Sequence, residues 1–402
     1  MAQNYKTLRA LFHASESDAA CVYQERFHSK EAHHFDFEVS EHPAFFLMDS
    51  AIYELIVRSL ELDRDIRNLA AQIPNSALQQ YMDSCLIDEV LLTNKIEGVS
   101  STRKEISTIL EHLNSPGKAG RLYGLTRKYR ALSQEKRPPL NSPADIRALY
   151  DELVLPEVRE ENPANVPDGK LFRKGSVSVI SAVQKEVHRG AQTEEEITQL
   201  LKQALRLLTS EELHPLPRTA LFHFMFGYIH PFYDGNGRVN RFISSSALAS
   251  YYHPVVSFKL SLKIHEKLSA YYKAFTTCEH LLNKGDLTPF VIAFAQIFVS
   301  AQEEALAQLE EKSGNYRVAQ SKLRSSLPAA QLEELDDFSC ALAQASIFAE
   351  NGITTNELCD ACSITAPTAV KRRKKLKDAG LLASKKQGHY TYYSLDLDAL
   401  FA

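Results

Sequence analysis

Apolar residues recur three and four positions apart along most of this 402-residue chain, the spacing that lines one face of an α-helix. Such stretches predict helices over residues 47–69, 78–92, 106–132, 197–208 and 260–282. The helical pattern lapses between residues 162 and 190, where runs at 177–180 and 186–188 predict the two strands of a hairpin. No other good strand signal precedes the C-terminal region, so the chain is expected to be mainly α-helical.

Breaks in this pattern predict four regions. Pro138 and Pro139 end the first region, and Ser142 followed by Pro143 is typical of a new helix start. Beyond Pro289 the pattern is helical again through an acidic stretch that is expected to space off a last domain. The predicted boundaries are an N-terminal helical region at 1–140, a second helical unit at 141–300, a helical linker at 301–340 and a C-terminal domain at 341–402.

Composition and charge narrow the setting in which the protein is expected to work. The 46 Lys and Arg residues stand against 50 Asp and Glu residues, so the net charge of -4 gives no overall attraction to nucleic acid or anionic lipid. No apolar run approaches the roughly 20 residues of a membrane helix, and the first residues lack a signal-peptide core. The six cysteines are too scattered for a disulfide-stapled domain. We therefore expect a cytoplasmic protein with reduced thiols and no membrane contact.

The segment 230–241, His-Pro-Phe-Tyr-Asp-Gly-Asn-Gly-Arg-Val-Asn-Arg, combines side chains suited to a nucleoside triphosphate. Gly235 and Gly237 let backbone N–H groups approach an anion closely, and the helix that follows directs its positive N-terminal end at the same point. Arg238 and Arg241 are three residues apart, so they share a helix face and can both donate to phosphate oxygens. The segment therefore predicts an anion cradle.

Two more residues of this segment suggest chemistry. Asp234 offers the carboxylate oxygen that Mg²⁺ prefers, and His230 is suited to act as a general base for an attacking hydroxyl at neutral pH. Taken singly, a core histidine, a plain glycine turn and two solvated arginines are the simpler interpretations. Their occurrence together within twelve residues favours a common function instead.

The segment resembles the Fic signature H-x-F-x-[DE]-G-N-G-R-x-x-R, which it matches at every specified position. The resemblance covers roughly residues 53–299 and implies a Fic-type helical core that transfers AMP from ATP to a protein hydroxyl with release of pyrophosphate. It implies that His230 deprotonates the hydroxyl and that Asp234 holds Mg²⁺. The ATP phosphates would be bound by Gly235, Asn236, Gly237, Arg238 and Arg241. The Doc branch, which transfers a phosphoryl group, departs from Gly-Asn-Gly at Gly237.

The hairpin at 177–188 resembles the flap of Fic proteins, on which a target protein lies as an added strand. The flap residues expected to dock the target are Val177, Ser178, Val179 and Ile180. Because a hairpin alone is a common feature of small mixed domains, this interpretation depends on the signature downstream.

Residues 93–98, Thr-Asn-Lys-Ile-Glu-Gly, resemble the inhibitory motif [ST]-x-x-x-E-[GN] of Fic proteins. In that motif the glutamate pairs with the second arginine of the signature, which here is Arg241. Thr93, Glu97 and Gly98 would then be inhibitory residues, on a helix at about 78–98 that precedes the catalytic core. From local sequence alone, Glu97 could equally be an exposed glutamate at the end of a helix that Gly98 caps.

The pattern at 354–393 resembles a winged helix, with a short helix, a turn, a second helix ended by Gly380, and two strands around residues 387–388. Eight Lys and Arg residues against one acidic residue lie between 371 and 386. This surface suits the phosphates of duplex DNA. The DNA contacts would come from Lys371, Arg372, Lys374 and Lys375. A solvated basic helix in a domain that contacts protein is equally supported. Arg373 stands where the apolar face of this helix would be expected to carry a hydrophobic residue.

Together these features predict an ATP- and Mg²⁺-dependent protein adenylyltransferase that modifies Ser, Thr or Tyr of a target protein or of itself and that is restrained by Glu97. One alternative transfers UMP or a phosphoryl group on the same loop. Another is a transcription regulator with a winged helix whose core only senses nucleotide. A homodimer is compatible with the sequence, which does not identify the target protein.

Overall fold

The computed structural model describes residues 5–113, 120–180, 186–387 and 390–401. Within them the chain forms eighteen α-helices and six β-strands, and the strands pair into three separate antiparallel sheets of two strands each. The prediction of a mainly α-helical chain is confirmed. Contacts divide the chain into two compact units, one made of Met1–Arg64 with Leu86–Glu303 and the other of Asp65–Cys85 with Glu304–Ala402. The four regions predicted from the sequence stay a prediction.

The elements that precede residue 140 are α1 (Leu8–Ala14), α2 (Glu16–Phe27), β1 (Ala32–Val39), β2 (His42–Leu47), α3 (Ser50–Ala70), α4 (Asn75–Ile96), α5 (Arg103–Glu111) and α6 (Tyr123–Ser133). Those between residues 140 and 280 are α7 (Pro143–Leu153), α8 (Leu155–Glu161), β3 (Ser178–Ile180), β4 (Glu186–Arg189), α9 (Glu194–Thr209), α10 (Pro215–Ile229), α11 (Asn236–Ala249), α12 (Leu260–Glu266) and α13 (Leu268–Cys278). The remainder are α14 (Thr288–Ser326), α15 (Ala329–Phe348), α16 (Thr355–Cys362), α17 (Ala366–Asp378), β5 (Leu382–Gln387), β6 (Tyr390–Leu395) and α18 (Leu397–Phe401).

Two stretches that the pattern predicted as single helices are each divided. The stretch 106–132 contains parts of α5 and α6, and the sequence between these helices includes a proline and two glycines, which disfavour a continuous helix. The stretch 260–282 contains α12 and α13, which meet at Lys267, and the start of a 3₁₀ turn at Leu281–Asn283. The spacing of apolar residues does not show such a break, because each of the two consecutive helices buries an apolar face of its own.

The N-terminal hairpin β1–β2 contradicts the expectation that no good strand signal precedes the C-terminal region except at 177–188. Its strands pair from Ala32 opposite Leu47 to Val39 opposite His42. The two turn residues, Ser40 and Glu41, both have positive φ, of 51° and 68°. Turns of this kind usually carry Asn-Gly or a similar pair, so the sequence lacks the ordinary hairpin signal. The predicted hairpin at 177–188 is confirmed as β3–β4.

The two helices on either side of the segment 230–235, α10 and α11, form the centre of the first unit. Helix α10 is buried on almost all sides, and α11 is buried at twelve of its fourteen positions. A helix that is apolar all around is typical of a protein core. Both ends of the segment are therefore attached to largely buried helices.

Helix α14 begins with a stretch apolar enough to match a membrane span by length and composition, with a mean hydropathy of 1.3 over 18 residues. More than half of that stretch is buried inside the fold, where Phe290 packs on Phe224 at a ring distance of 5.2 Å and Phe294 on His223 at 5.0 Å. The apolar composition of α14 is that of a core helix.

In the second unit, the two helices and two strands predicted within 354–393 are present as α16, α17, β5 and β6. Gly388 lies outside the described residues. Arg373 lies on α17 where the pattern predicted a hydrophobic residue. Its guanidinium lies 3.9 Å from the centre of the Tyr393 ring, and it donates a hydrogen bond of 2.5 Å to Thr355. An aromatic face and a hydroxyl thus replace the hydrophobic contact expected there. The winged-helix assignment stays a prediction.

Candidate functional site

The segment 230–235 connects α10 to α11 through two residues with left-handed backbone. His230 ends α10 with φ 53° and ψ 63°, a conformation that costs a residue other than glycine about 1–3 kcal/mol. Gly235 precedes α11 with φ 78°, and a Cβ atom there would lie 2.3 Å from Cγ1 of Val154. The second position therefore requires glycine, whereas the histidine must be held in place by its surroundings.

The side chain of Asn236, at the start of α11, binds the backbone of this loop. Its Oδ1 accepts a hydrogen bond of 2.9 Å from the backbone N–H of Phe232, and its Nδ2 donates one of 2.8 Å to the Phe232 carbonyl. The Phe232 ring stacks on Tyr150 at 3.8 Å. Asn236 thus shapes the loop, and its predicted contact with phosphate, for which one Nδ2 hydrogen remains after these bonds, stays a prediction.

Arg238 is 1% exposed and only partly paired. Its Nη1 donates to the carboxylate of Glu157 on α8, which is itself buried, and its Nη2 lies 3.7 Å from Oδ1 of Asp234. Nε and Nη2 have no hydrogen-bond partner in the described part of the chain although both atoms are buried. A buried donor without an acceptor is costly, so these two donors indicate a place for an anionic ligand.

Arg241, on the next turn of α11, is also buried, and the end of α4 occupies its donors. Its Nε donates to Oγ1 of Thr93 at 2.8 Å, and its Nη2 donates to the Thr93 carbonyl at 3.0 Å and to Oε1 of Glu97 at 2.8 Å. Gly98 follows with φ 75° and donates its N–H to the carbonyl of Lys95. The structure therefore brings together the residues predicted to be inhibitory and their predicted arginine partner, while the inhibitory role itself stays a prediction.

The charge of Glu97 follows from this contact. Burial opposes ionisation, but the attraction and hydrogen bond of Arg241, with smaller contributions from Arg238 and His230, outweigh it and hold the pKa of Glu97 below its ordinary value. The same pairing raises the pKa of Arg241 against the opposing effect of burial. Both groups are therefore charged at neutral pH.

Gly237 explains how Glu97 reaches its position. A Cβ atom on this residue would lie 2.1 Å from Oε1 of Glu97 and 2.9 Å from Nη1 of Arg241. The glycine that would admit a phosphate to the N-terminal turn of α11 thus also admits the carboxylate.

A cavity of about 330 Å³ opens beside these residues. Its lining comes from the end of α4, from α8 and from the loop, and includes Glu97, Gly98, Arg121, Glu157, Glu161 and Asp234. The Asp234 side chain is 31% exposed. In the described ranges, no group of three or more His, Cys, Asp or Glu side chains is placed to hold a metal ion.

Sequence reasoning missed Glu157 and Glu89. Glu89 lies on α4 four residues before Thr93 and accepts hydrogen bonds from the Ser261 N–H at 2.9 Å, the Ser261 hydroxyl at 2.5 Å and the Tyr129 hydroxyl at 3.3 Å. Burial raises the pKa of Glu89 to about 7 against the effect of these bonds and of Arg241. Glu89 lies four residues before Thr93 and eight before Glu97, a spacing that places all three on one helix face. This spacing was the feature of the sequence from which Glu89 could have been predicted.

The remaining predicted residues lie elsewhere. Val177 precedes β3, and its carbonyl accepts a hydrogen bond from the N–H of Gly190 at 3.1 Å; Ser178, Val179 and Ile180 form β3 itself. Target docking on this strand stays a prediction. On α17, Lys371 and Lys374 are exposed, whereas Lys375 is paired with Glu334 and Arg372 lies 6.0 Å from the centre of the Phe338 ring.

Comparison with known proteins agrees with this geometry. Residues 139–248, which include the loop, all of α10 and all but the last residue of α11, match the Fic/DOC family. Stretches of the chain are similar to proteins named protein adenylyltransferase Fic. The protein from Drosophila grimshawi is 39% identical over 83 residues, which are 20% of this chain and 15% of the fly protein. The protein from Drosophila melanogaster is 38% identical over 96 residues, which are 23% of this chain and 18% of the fly protein. The chain thus spans less than a fifth of the length of these relatives.

The fold as a whole is similar to that of a Fic family protein from Desulfovibrio desulfuricans, with a TM-score of 0.53 and 20% identity over 87% of this chain and 96% of that one. Residues 139–248 thus match the Fic/DOC family, and the helical fold that carries them is similar to that of a solved Fic family structure.

Proposed function

We propose that this chain is a protein adenylyltransferase that transfers AMP from ATP to a Ser, Thr or Tyr hydroxyl of a target protein or of itself. The observation that carries the proposal is the pair of buried Arg238 donors that lack a hydrogen-bond partner in the described part of the chain, at the N-terminal turn of α11 and next to the loop that carries His230. An anion bound there would meet the positive end of the helix as well. The partial similarity to fly adenylyltransferases supports the same activity.

In the proposed reaction, His230 accepts the proton of the target hydroxyl. The hydroxyl oxygen forms a bond to the α-phosphorus while the bond from that phosphorus to the leaving pyrophosphate breaks. Negative charge that develops on the α-phosphate is offset by the N–H groups at the start of α11 and by Arg238. The β3–β4 pair, which has two strands among the residues described, offers an edge on which an extended target segment could lie.

The residues around Asp234 fit a Mg²⁺ ion that the nucleotide brings with it. Mg²⁺ in nucleotide sites is commonly bound through one or two carboxylates together with substrate phosphates and water, and Asp234 supplies one partly exposed carboxylate beside Arg238. When bound, the ion would offset phosphate charge. Asp234 would hold the ion, while Glu157 is ion-paired with Arg238.

We further propose that Glu97 restrains this activity. Arg241 would bind the γ-phosphate, but its Nε and Nη2 are used by Thr93 and Glu97. ATP must displace the carboxylate or bind with its α-phosphate out of line with His230. Because Glu97 is ionised at neutral pH, it competes with phosphate for Arg241 as a charged group under physiological conditions.

Labelled ATP tests the proposed activity against its alternatives. The full chain carrying Glu97→Gly is incubated with Mg²⁺ and either α- or γ-labelled ATP, and protein-bound label is measured. Label from the α position supports AMP transfer, and competition by excess UTP would point to UMP transfer. Label from the γ position alone would show phosphoryl transfer. ATP binding without either label would favour a nucleotide sensor.

The second unit favours an additional role in nucleic-acid binding. Lys371, Lys374 and Lys377 are exposed and recur every three residues along α17, and Lys385 and Lys386 of β5 are exposed as well. We propose that this basic surface contacts the phosphates of duplex DNA.

A further inference from the structure

The stem of the flap, residues 168–175, is bound to the loop around His230 by two side chains that the proposed chemistry does not use. They are Arg173, which lies in the stem, and Tyr233, which lies in the loop. Each reaches across to the opposite segment.

Arg173 is fully buried and binds carbonyl oxygens. Its Nε donates to the His230 carbonyl at 2.8 Å, its Nη1 to the Gly175 carbonyl at 2.5 Å and its Nη2 to the Ile229 carbonyl at 3.3 Å. None of the ion pairs in the described part of the chain includes Arg173, and burial lowers the pKa of its guanidinium. No carboxylate in the described part of the chain is hydrogen-bonded to this buried cation, so the three carbonyls compensate for its lost hydration and hold it in one orientation.

These carbonyl contacts act where the backbone is strained. Arg173 binds the carbonyl of His230 itself, the residue with left-handed backbone at the end of α10. A cation beside the last carbonyls of a helix is also stabilising. The guanidinium therefore helps to hold the orientation of the candidate base.

Tyr233 makes the reciprocal contact. Its hydroxyl accepts a hydrogen bond of 2.9 Å from the Gly175 N–H and donates one of 3.0 Å to Oδ1 of Asp168, which also accepts from the Lys174 N–H. A Cβ atom on Gly175 would lie 2.9 Å from the Tyr233 hydroxyl oxygen. The loop is thus in close contact with the backbone two residues before Val177.

The other end of the flap is held at the same place. The Ala191 N–H donates to the Ile229 carbonyl at 3.1 Å, and a Cβ atom on Gly190 would lie 2.7 Å from Nη2 of Arg173. Both ends of the flap therefore meet the last turn of α10.

We propose that Arg173 and Tyr233 are positioning residues that fix the flap relative to His230, so that a hydroxyl in a flap-bound target segment lies within reach of the base. This inference rests on the proposed adenylyltransferase function. In the proposed function the ATP phosphates are bound by the start of α11, Arg238 and Arg241. Weakening the hydrogen bonds of Arg173 and Tyr233 should therefore impair transfer to protein more than it impairs nucleotide binding. Water, which needs no flap, can still attack the α-phosphorus to give AMP and pyrophosphate. The ratio of protein-bound label to pyrophosphate released therefore measures the positioning.

The test uses the full chain with Glu97→Gly as parent, α-labelled ATP and Mg²⁺. Tyr233→Phe removes one hydroxyl, and Arg173→Lys keeps the charge but cannot reproduce the three-carbonyl geometry. We expect each to lower the ratio of label to pyrophosphate about tenfold, with ATP affinity within twofold of the parent and faster hydrogen exchange at the amides of 173–177. Tyr123→Phe, which removes a hydroxyl that donates to the Leu113 carbonyl instead, is the matched control and should change none of these.

The outcomes separate the two proposals. An active parent whose ratio is unchanged in Tyr233→Phe would overturn the positioning role, whether or not exchange becomes faster. A parent that releases no pyrophosphate and labels no protein would overturn the adenylyltransferase proposal and the positioning role with it. If Arg173→Lys fails to fold, Tyr233→Phe still decides the question.

Discussion

Oε1 of Glu97 accepts a hydrogen bond of 2.8 Å from Nη2 of Arg241, a residue 144 positions further along the chain. The bond joins the end of α4 to the first turns of α11. The carboxylate also fills the space next to Gly237. Glu97 therefore pairs with Arg241 and occupies a position that a bound phosphate would need. Inhibition and nucleotide binding are thus expected to exclude each other.

Glu97→Gly should therefore raise AMP transfer by about tenfold or more. A charge-assisted hydrogen bond of this type is worth about 1.5–3 kcal/mol, and removing it leaves Arg241 available to phosphate. The measurement is α-label incorporation by the full chain. Glu97→Gln should activate less if its amide still fills the site.

Glu111→Gly, which changes an exposed glutamate at the end of α5, serves as the control for Glu97→Gly and should leave the rate of transfer unchanged. Wild-type rates in Glu97→Gly, with transfer still dependent on His230, would return Glu97 to the role of a glutamate at a capped helix end.

His230→Ala should nearly abolish transfer in the Glu97→Gly background while ATP still binds. A general base contributes about 10²–10⁴-fold to rate and little to ground-state affinity. Label transfer and calorimetric ATP binding would be measured on the same preparation. Full activity in this variant would exclude His230 as the base.

Gly237→Ala should destabilise the protein more when Glu97 is present than when it is absent. In the wild type the new Cβ atom would meet the Glu97 carboxylate and should destabilise the fold. Once Glu97→Gly has removed that carboxylate, only Nη1 of Arg241 remains within 3 Å of the new Cβ atom, and the higher helix propensity of alanine offsets part of the cost of that contact. Urea unfolding of the four variants measures the coupling. Equal effects in both backgrounds would contradict the close contact between Gly237 and Glu97.

The loop could be predicted from sequence because its chemistry is contiguous: the residues from His230 to Arg241 form one short signature. Glu97 was predicted only by resemblance to a known motif, since a glutamate at a helix end has an equally good structural explanation. Glu157 and Arg173 could not be predicted, because their importance comes from buried partners far along the chain.

The N-terminal hairpin was missed for a different reason. Residues 35–39 do alternate apolar and acidic, but the turn uses Ser40 and Glu41 with positive φ instead of the usual residues. At Arg373 the helical pattern predicted a hydrophobic residue. The pattern does not include its aromatic partner, Tyr393, because that residue lies twenty positions further along the chain.

The basic surface of the second unit predicts salt-dependent binding of duplex DNA by the full chain. Replacing Lys371, Lys374 and Lys377 together by alanine should weaken binding and lower the slope of log affinity against log salt, by about 0.9 for each phosphate that the variant no longer neutralises. Fluorescence anisotropy over a salt series measures both quantities. A control triple of exposed lysines in the first unit, Lys104, Lys136 and Lys202, should have no effect. Absence of DNA binding at low salt would favour a protein-contact surface instead.

Glu89 predicts a pH dependence of stability that a single substitution should remove. Its pKa is about 7 in the fold against 4.5 as the ordinary value, so between these pH values the unfolded chain releases a proton that the folded chain retains. Stability therefore falls as pH rises through this window, by about 3 kcal/mol in total for a shift of this size. Glu89→Gln cannot ionise, and its stability relative to wild type should rise by a similar amount between pH 4.5 and pH 8. Partly buried Glu279, whose pKa is also raised to about 7 by desolvation, is present in both proteins and cancels in the difference. Urea unfolding at several pH values gives the two curves, and parallel curves would show that Glu89 is ionised in the folded protein across the whole range.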